Sequence, residues 1–362
     1  MMNELTEYLT DAIDRIVRQA LRACFKNPVQ STFIMKYLLW QKAAAKRRRK
    51  NEIDGRHIPP FLIASIASQC NLHCKGCYAR ENHACHDTPQ SAELSAQEWT
   101  RIFKEAGQLG VAFILLAGGE PMLRTDVLAA ASRFQNIVFP VFTNGTMLDA
   151  KMTTFFHKNR NLVPVLSLEG DGKATDDRRG AGVETAVRAA MARLDDASVF
   201  YGVSVTVTTE NVDAVTDADF ISGLRKRGCK LALFVEYVPF DAATTHLAPT
   251  QETRVRLSER QQALRDANAQ MIFISFPGDE GEMGGCLAAG RGFFHINPSG
   301  GAEPCPFSPY SDISLKDRTL LEVMQSPFFK RLADLQHLQG EHAGGCVLFD
   351  HRAQVEDLLK AD

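Results

Sequence analysis

At 362 residues, with 45% hydrophobic and 23% charged residues, the chain is long enough to bury a sizeable core and too apolar for wholesale disorder or a fibrous repeat. Forty-one Lys and Arg against 43 Asp and Glu leave a formal net charge of -2, which gives no whole-molecule attraction to nucleic acid or anionic lipid. No window approaches the roughly 18 to 20 apolar residues of a membrane span, and even the run 33–40 is broken by Lys36.

The start, 1–14, is acid-rich and lacks the basic and apolar regions of a secretory signal, so a cytoplasmic protein with reduced thiols is expected. Leu5, Leu9, Ile13, Ile16, Val17, Ala20, Leu21 and Cys24 recur at helical spacing and predict an amphipathic helix over 4–25. A second helix, 31–46, runs into Lys46, Arg47, Arg48, Arg49 and Lys50. That run reads as a solvated helix end near the negative pole of its dipole; the alternative is a docking patch for an acidic peptide, lipid headgroup or nucleic acid.

After Pro59 and Pro60 the texture becomes short β-branched and aromatic runs alternating with helical stretches. Strands are predicted at 61–67, 111–117, 137–142, 163–168, 201–207 and 231–237, with helices at 95–109, 125–134, 150–158, 183–195 and 217–227. Such βα alternation predicts an α/β fold with a parallel sheet, curled into a barrel or part of one. Beyond Pro239 the rhythm stops, leaving a helix at 251–269, a strand at 271–276 and a tail rich in Gly, Pro and Cys. The chain thus divides into an N-terminal helical segment, 1–58, a core, 59–277, and a small Cys-rich subdomain, 278–362.

Nine cysteines, an odd number, point to metal ligation or thiol chemistry ahead of a disulfide framework. Cys70, Cys74 and Cys77 follow the first strand at its C-terminal end, the face where chemistry sits in parallel α/β sheets and barrels. A zinc site there needs a fourth ligand, available from His73, His83, Cys85 or His86. A [4Fe–4S] cluster on three thiolates leaves one iron open to an external molecule. Other strand ends carry further candidates: Gly118, Gly119 and Glu120 after the second, Thr143, Asn144 and Gly145 after the third, and Ser167 and Glu169 on one side of the fourth, followed by Arg178 and Arg179. Glu236 and Tyr237 close the sixth and are candidates for lining a substrate space.

Together these segments, over 60–239, resemble the radical S-adenosylmethionine (radical SAM) superfamily. The resemblance implies a partial (β/α)6 TIM-like barrel in which SAM chelates the fourth iron. Glu120, in a GGE-like turn with Gly118 and Gly119, is then expected at the SAM amino group, Asn144 at the ligand, Ser167 and Glu169 at the ribose, and Arg178 or Arg179 at the carboxylate. Many relatives carry an aromatic just before the third cysteine; here Gly76 stands there and Tyr78 follows, the candidate for that role. Where Asp is common, Glu169 is one methylene longer.

Cys286, Gly300 and Cys305, with Cys346 much later, are similar in spacing to the SPASM and twitch extensions of that superfamily, which hold auxiliary clusters, although a full SPASM domain has several more cysteines. Three unrelated buried thiols, or a zinc site completed by His295 or His342, are the other readings. For Cys24 and Cys229 burial is expected, and Cys85 has no account. The implied function is reductive SAM cleavage to a 5′-deoxyadenosyl radical that takes hydrogen from a substrate, a peptide or protein, with flavodoxin or ferredoxin as electron donor and the N-terminal helices as a peptide dock. The alternatives are a non-catalytic iron–sulfur or zinc protein, and a radical SAM enzyme of small-molecule or cofactor biosynthesis.

Overall fold

The computed structural model describes residues 2–25, 27–90, 92–277, 285–335 and 346–360. Two long helices come first, α1 (Met2–Ala23) and α2 (Pro28–Ile53). The core follows as β1 (Phe61–Ala67), α3 (Tyr78–Glu81), α4 (Ala96–Leu109), β2 (Phe113–Gly118), α5 (Thr125–Ala131), β3 (Phe139–Thr143), α6 (Ala150–Lys158) and β4 (Leu162–Ser167). It continues with α7 (Lys173–Arg179), α8 (Val183–Asp196), β5 (Gly202–Val207), α9 (Val212–Val215), α10 (Ala218–Lys226), β6 (Leu231–Glu236), α11 (Gln251–Ala267) and β7 (Ile272–Phe276). Beyond it lie β8 (His295–Ile296), β9 (Ala302–Glu303), α12 (Leu320–Val323), α13 (Pro327–Ala333), α14 (Val347–Asp350) and α15 (Arg352–Lys360). His342 lies outside the described residues.

Among the described residues one sheet holds every strand, in the order β7-β6-β5-β4-β3-β2-β1-β8-β9. Neighbours from β7 to β8 pair in parallel, and β9 turns back antiparallel on β8. Among the described residues nothing joins β7 to β9, so the barrel is open, as expected. The strand expected at 271–276 is β7, which continues the parallel sheet in register from Leu231↔Ile272 to Val235↔Phe276. The long α11 is a further crossover, separated from β6 by an irregular segment that hides the βα rhythm in the sequence.

The two faces of the sheet differ in burial, and the difference locates the working space. Leu62, Ala64, Ile66, Ile114, Leu116, Val203, Val205 and Phe234 are fully covered, in one core with Trp99, Ile102 and Phe103 of α4 and Val187 and Met191 of α8. Their alternates, Leu115, Ala117, Phe142, Ser167, Ser204, Thr206 and Val235, are only partly buried. The face without helices is therefore an open groove, polar toward the C-terminal ends of β4 and β5. α4 starts on a capping box, Ser95 with Glu98, and stops at Gly110, whose φ of 100° only glycine takes without strain.

The helical hairpin of α1 and α2 covers the opposite ends of the strands. Its small core of Ile13, Val17, Cys24, Ile34 and Tyr37 includes Ala112, just before β2. Tyr37 Oη donates to Ala112 O at 2.6 Å, and Arg48 Nη1 donates to Gly110 O at 2.6 Å. The basic run is thus not a solvated helix end. α2 begins on an Asn27 cap and Pro28 and continues through the run, because Ala, Lys and Arg are strong helix formers. Lys46, Arg49 and Lys50 are exposed, but Arg48 is 1% exposed, with its other end on Thr10 Oγ1 at 3.3 Å. Burial lowers the Arg48 guanidinium pKa to about 10, which leaves it charged at neutral pH.

Replacing Arg48 by Ala strands the Gly110 carbonyl and removes a buried, charge-assisted hydrogen bond, a loss of about 2 kcal/mol. Arg49→Ala, one residue on and exposed, should stay within about 0.5 kcal/mol of the parent. Denaturant unfolding of the two variants side by side checks the contrast.

Candidate functional site

Past Ala67 the chain crosses the end of β2 in direct backbone contact. Gly119 N donates to Ala67 O at 2.7 Å and Glu120 N to Gln69 O at 2.8 Å. A Cβ on Gly118 would lie 2.4 Å from Ala67 O, and one on Gly119 would lie 2.1 Å from Gln69 O. Both glycines are thus required by the loop that carries the thiols. From the outside, His86 bridges the same stretch, with His86 N on Ser68 O at 2.7 Å and Cys70 N on His86 O at 3.0 Å. Arg80 Nη2 binds Leu72 O at 2.8 Å, and Lys75 N binds Arg178 O at 2.8 Å, tying the loop to α7.

Cys70, Cys74 and Cys77 are half-buried on this loop. Cys70 is held toward thiolate, its pKa lowered to about 6, by a hydrogen bond from the thiol of Cys85, which keeps the shared proton. Burial pushes the Cys74 thiol up, opposed by Arg179, whose Nη1 lies 3.9 Å from Cys74 Sγ. Among the described residues no three His, Cys, Asp or Glu side chains form a ready single-ion cage. Of the histidines considered as a zinc ligand, His73 pairs with exposed Asp87 at 2.8 Å. Three thiols on one short loop, flanked by a cation, are a donor set that suits an iron–sulfur cluster.

Two buried carboxylates organise the neighbouring strand ends. Glu120, 1% exposed, points inward: Oε1 accepts from Thr143 Oγ1 at 2.7 Å and Met122 N at 3.0 Å, and Oε2 from Asn144 N at 2.9 Å. Burial outweighs those donors and raises its pKa to about 7. Its oxygens are therefore engaged in bracing β2 against β3. Asn144 Nδ2 reaches Asn71 Oδ1 in the cysteine loop at 2.8 Å, a link that the sequence reading missed although Asn71 follows Cys70. Glu169, 2% exposed, takes Arg178 and Arg179 on Oε1, while Oε2 is buried with no partner. The two arginines, one of them expected at a ligand carboxylate, are partly buried braces of Glu169. The free Oε2 and the half-exposed Ser167 fit a ligand hydroxyl.

Tyr78 and Tyr237 exchange the places expected of them. Tyr78 packs edge-on against Phe307 of the C-terminal segment, with ring centroids 5.1 Å apart. Tyr237 comes back over the cysteine loop, so close that a Cβ on Gly76 would meet its hydroxyl at 2.3 Å. Gly76 thus makes room for an aromatic from β6. Glu236, by contrast, is 3% exposed and binds Arg254 of α11 at 2.8 Å, on the helix side of the sheet.

The second cysteine set also comes together. Cys286, Cys305 and Cys346 line one small cleft, walled by Phe276, Phe293, Phe307 and Leu348. Burial raises the Cys305 thiol pKa, and Cys346 is within hydrogen-bond reach of it. Three thiols around an apolar cleft also suit a cluster. His295 is not free to join them: Nδ1 meets Glu303 Oε2 at 2.7 Å and Nε2 meets Ser65 Oγ at 2.8 Å. Cys24 and Cys229 are buried, and burial raises each pKa to about 12.

Comparison with known proteins agrees with this geometry. Residues 65–221 match the Radical SAM superfamily, whose members use a [4Fe–4S] cluster and SAM. Fe-coproporphyrin III synthase of Methanosarcina barkeri is 28% identical over 156 residues, 42% of this chain and 38% of that protein. PqqA peptide cyclase of Gluconobacter oxydans is 26% identical over 291 residues, 75% of this chain and 78% of that protein. The chain spans under two fifths of the length of several other curated relatives: 39%, 32% and 37%. The fold is similar to that of Streptococcus suis SuiB bound to the precursor peptide SuiA, with a TM-score of 0.65 at 17% identity over 84% of this chain and 76% of SuiB.

Gly119→Ala should displace the loop start at Gln69 and lower iron bound per chain after anaerobic reconstitution, measured by iron and sulfide analysis. Glu120 has a folded pKa of about 7, above the usual carboxylate value, so its contribution to stability is greatest in acid and fades as pH rises through 7. In the metal-free protein, Glu120→Gln should therefore flatten the fall in unfolding free energy between about pH 5 and 8, at most about 1.4 kcal/mol per pH unit for one proton.

Proposed function

Because the chain carries a radical SAM domain, we propose that it is an enzyme that oxidises or cross-links a peptide, with a [4Fe–4S] cluster on Cys70, Cys74 and Cys77 and an auxiliary cluster on Cys286, Cys305 and Cys346. When bound, the first cluster and SAM supply a 5′-deoxyadenosyl radical that removes a hydrogen atom from substrate.

The chain's own residues set the stage for that chemistry. Gly118 and Gly119 leave backbone bare beside the cysteine loop, where a ligand's amino and carboxylate groups can approach. Ser167 and Glu169 Oε2 receive the ribose hydroxyls, while Arg178 and Arg179 hold the Glu169 carboxylate in place through Oε1. Asn144 holds Asn71, and through it the loop, over the end of β3. Tyr237 and Phe240 cover the same mouth, which keeps water from a reactive carbon.

The single observation that carries the oxidative reading is the second thiol cleft. It is separated from the first loop by the contact of Tyr78 with Phe307, which itself lines that cleft. A substrate radical between the two thiol sets has a place to deliver its remaining electron. Similarity to a peptide cyclase and to SuiB with its precursor supports a peptide, whose acidic segment would dock on the outer face of α2. There Lys36, Lys42, Lys46, Arg49 and Lys50 are exposed, and no acidic residue occurs between 28 and 50. The match to Fe-coproporphyrin III synthase favours a second reading, a small molecule such as a tetrapyrrole. Flavodoxin or ferredoxin remains the proposed electron donor.

The test is anaerobic reconstitution followed by dithionite and SAM. Wild type should release 5′-deoxyadenosine and Cys74→Ala should release none. Cys305→Ala should retain release but yield no peptide product lighter by two hydrogens. Wild type that holds zinc and never cleaves SAM would show a non-catalytic metal protein. Turnover of a tetrapyrrole but of no peptide would establish the second reading.

A further inference from the structure

One face of α2 is turned away from the rest of the chain. Ile34, Tyr37, Gln41, Ala44 and Arg48 point inward, while Val29, Met35, Leu39, Lys42, Lys46 and Arg49 recur at helical spacing and trace a single exposed stripe on the other side. Its apolar members are open to solvent: Val29 is 61% exposed, Met35 51% and Leu39 68%. Phe25, just before the helix, and Ile53, at its last position, are more exposed still. Of the large apolar side chains exposed among the described residues, only Val255 lies elsewhere. Single exposed apolar residues are ordinary, but a row of them on one helix marks an interaction surface.

The order along the stripe selects the partner. Val29, Met35 and Leu39 occupy its first half, and Lys42, Lys46, Arg49 and Lys50 its second. Among the described residues none of these four cations is in an ion pair. An anionic lipid surface suits a helix whose cations flank an apolar face along its whole length. Nucleic acid has no use for the apolar half. Two halves set end to end match a second helix, itself apolar in one half and acidic in the other.

We propose that the outer stripe of α2 binds an amphipathic helix of the substrate peptide, its apolar half over Val29, Met35 and Leu39 and its Asp- or Glu-rich half over Lys42, Lys46, Arg49 and Lys50. The inference rests on the peptide reading and adds the form in which that peptide is held. Burial of three apolar side chains supplies what charge alone lacks, an affinity that survives salt.

The test is fluorescence anisotropy of the full chain with a labelled synthetic peptide about six helical turns long, carrying leucines in one half and glutamates in the other, both at every third or fourth position. This striped peptide should bind, gain helical circular dichroism on binding, and keep measurable affinity in high salt. A peptide of the same composition with the leucines and glutamates placed off any stripe should bind about tenfold more weakly. Met35→Gln with Leu39→Gln should weaken the striped peptide about tenfold at any salt, and Lys46→Glu with Arg49→Glu about tenfold at low salt only. All four positions are exposed, so both double variants should unfold like wild type. Equal binding of the two peptides overturns the helical form and leaves plain charge docking. A striped peptide that ignores both double variants, or that fails to bind up to about 1 mM, overturns the site. Capture of phosphatidylglycerol vesicles or poly(U) RNA in place of the peptide overturns it in favour of a lipid or nucleic-acid surface. Each of these failures leaves the SAM-cleaving reading standing; a chain that binds the striped peptide yet never releases 5′-deoxyadenosine sinks that reading and leaves the dock.

Discussion

The site depends on the absence of two side chains. Gly118 and Gly119 allow the segment from Ala67 to Gln69 to lie against the end of β2 at hydrogen-bond distance, where any Cβ would overlap a carbonyl oxygen. That contact decides where Cys70 leaves the sheet, and hence which way the whole thiol loop faces. The clamp through His86 and the tie from Lys75 to α7 act on a loop whose origin is already fixed. A strand end and a glycine turn thus fix the thiol loop in place, although neither supplies a thiol.

Buried charge does the next part of the work. Glu120 and Glu169 are both almost inaccessible, yet they are satisfied in opposite ways. Glu120 accepts only from neutral donors, so its burial shows as a raised pKa. Glu169 sits beside two guanidinium groups, and one of its oxygens is left over. A buried carboxylate that lacks one partner carries an energetic deficit that a ligand hydroxyl can relieve. The first carboxylate holds strand ends together; the second holds an acceptor in reserve.

Much of this was legible in the sequence because it is local. β1 matches its expected limits at both ends, and α6 does so too, since period and flanking turn residues fall within a few positions. The thiol spacing and the glycine pair are legible for the same reason. What stayed hidden is non-local. Arg48 looks like one of five equivalent cations, and only the nearness of Gly110, 62 residues on, selects it for burial. Tyr237 replaces an aromatic expected near position 76, which shows only once the segment just after β6 is seen to reach the loop that follows β1. Cys85 was unassigned because its partner is defined by a two-residue bridge with no periodicity to announce it. β7 was separated from the other strands by an irregular stretch, yet pairs with β6 as regularly as the rest.

β8 adds directly to β1, with Ile63 opposite His295 and Ala64 opposite Ile296, and the same short hairpin leads through Glu303 to Cys305. The strand that delivers the first thiol loop is thus hydrogen-bonded to the element that delivers the second. Tunnelling rates fall steeply with distance, and if both thiol sets hold the clusters proposed above, the gauge between them is built into main-chain bonding. Side chains lining the intervening space could then drift to suit a new substrate without retuning that distance.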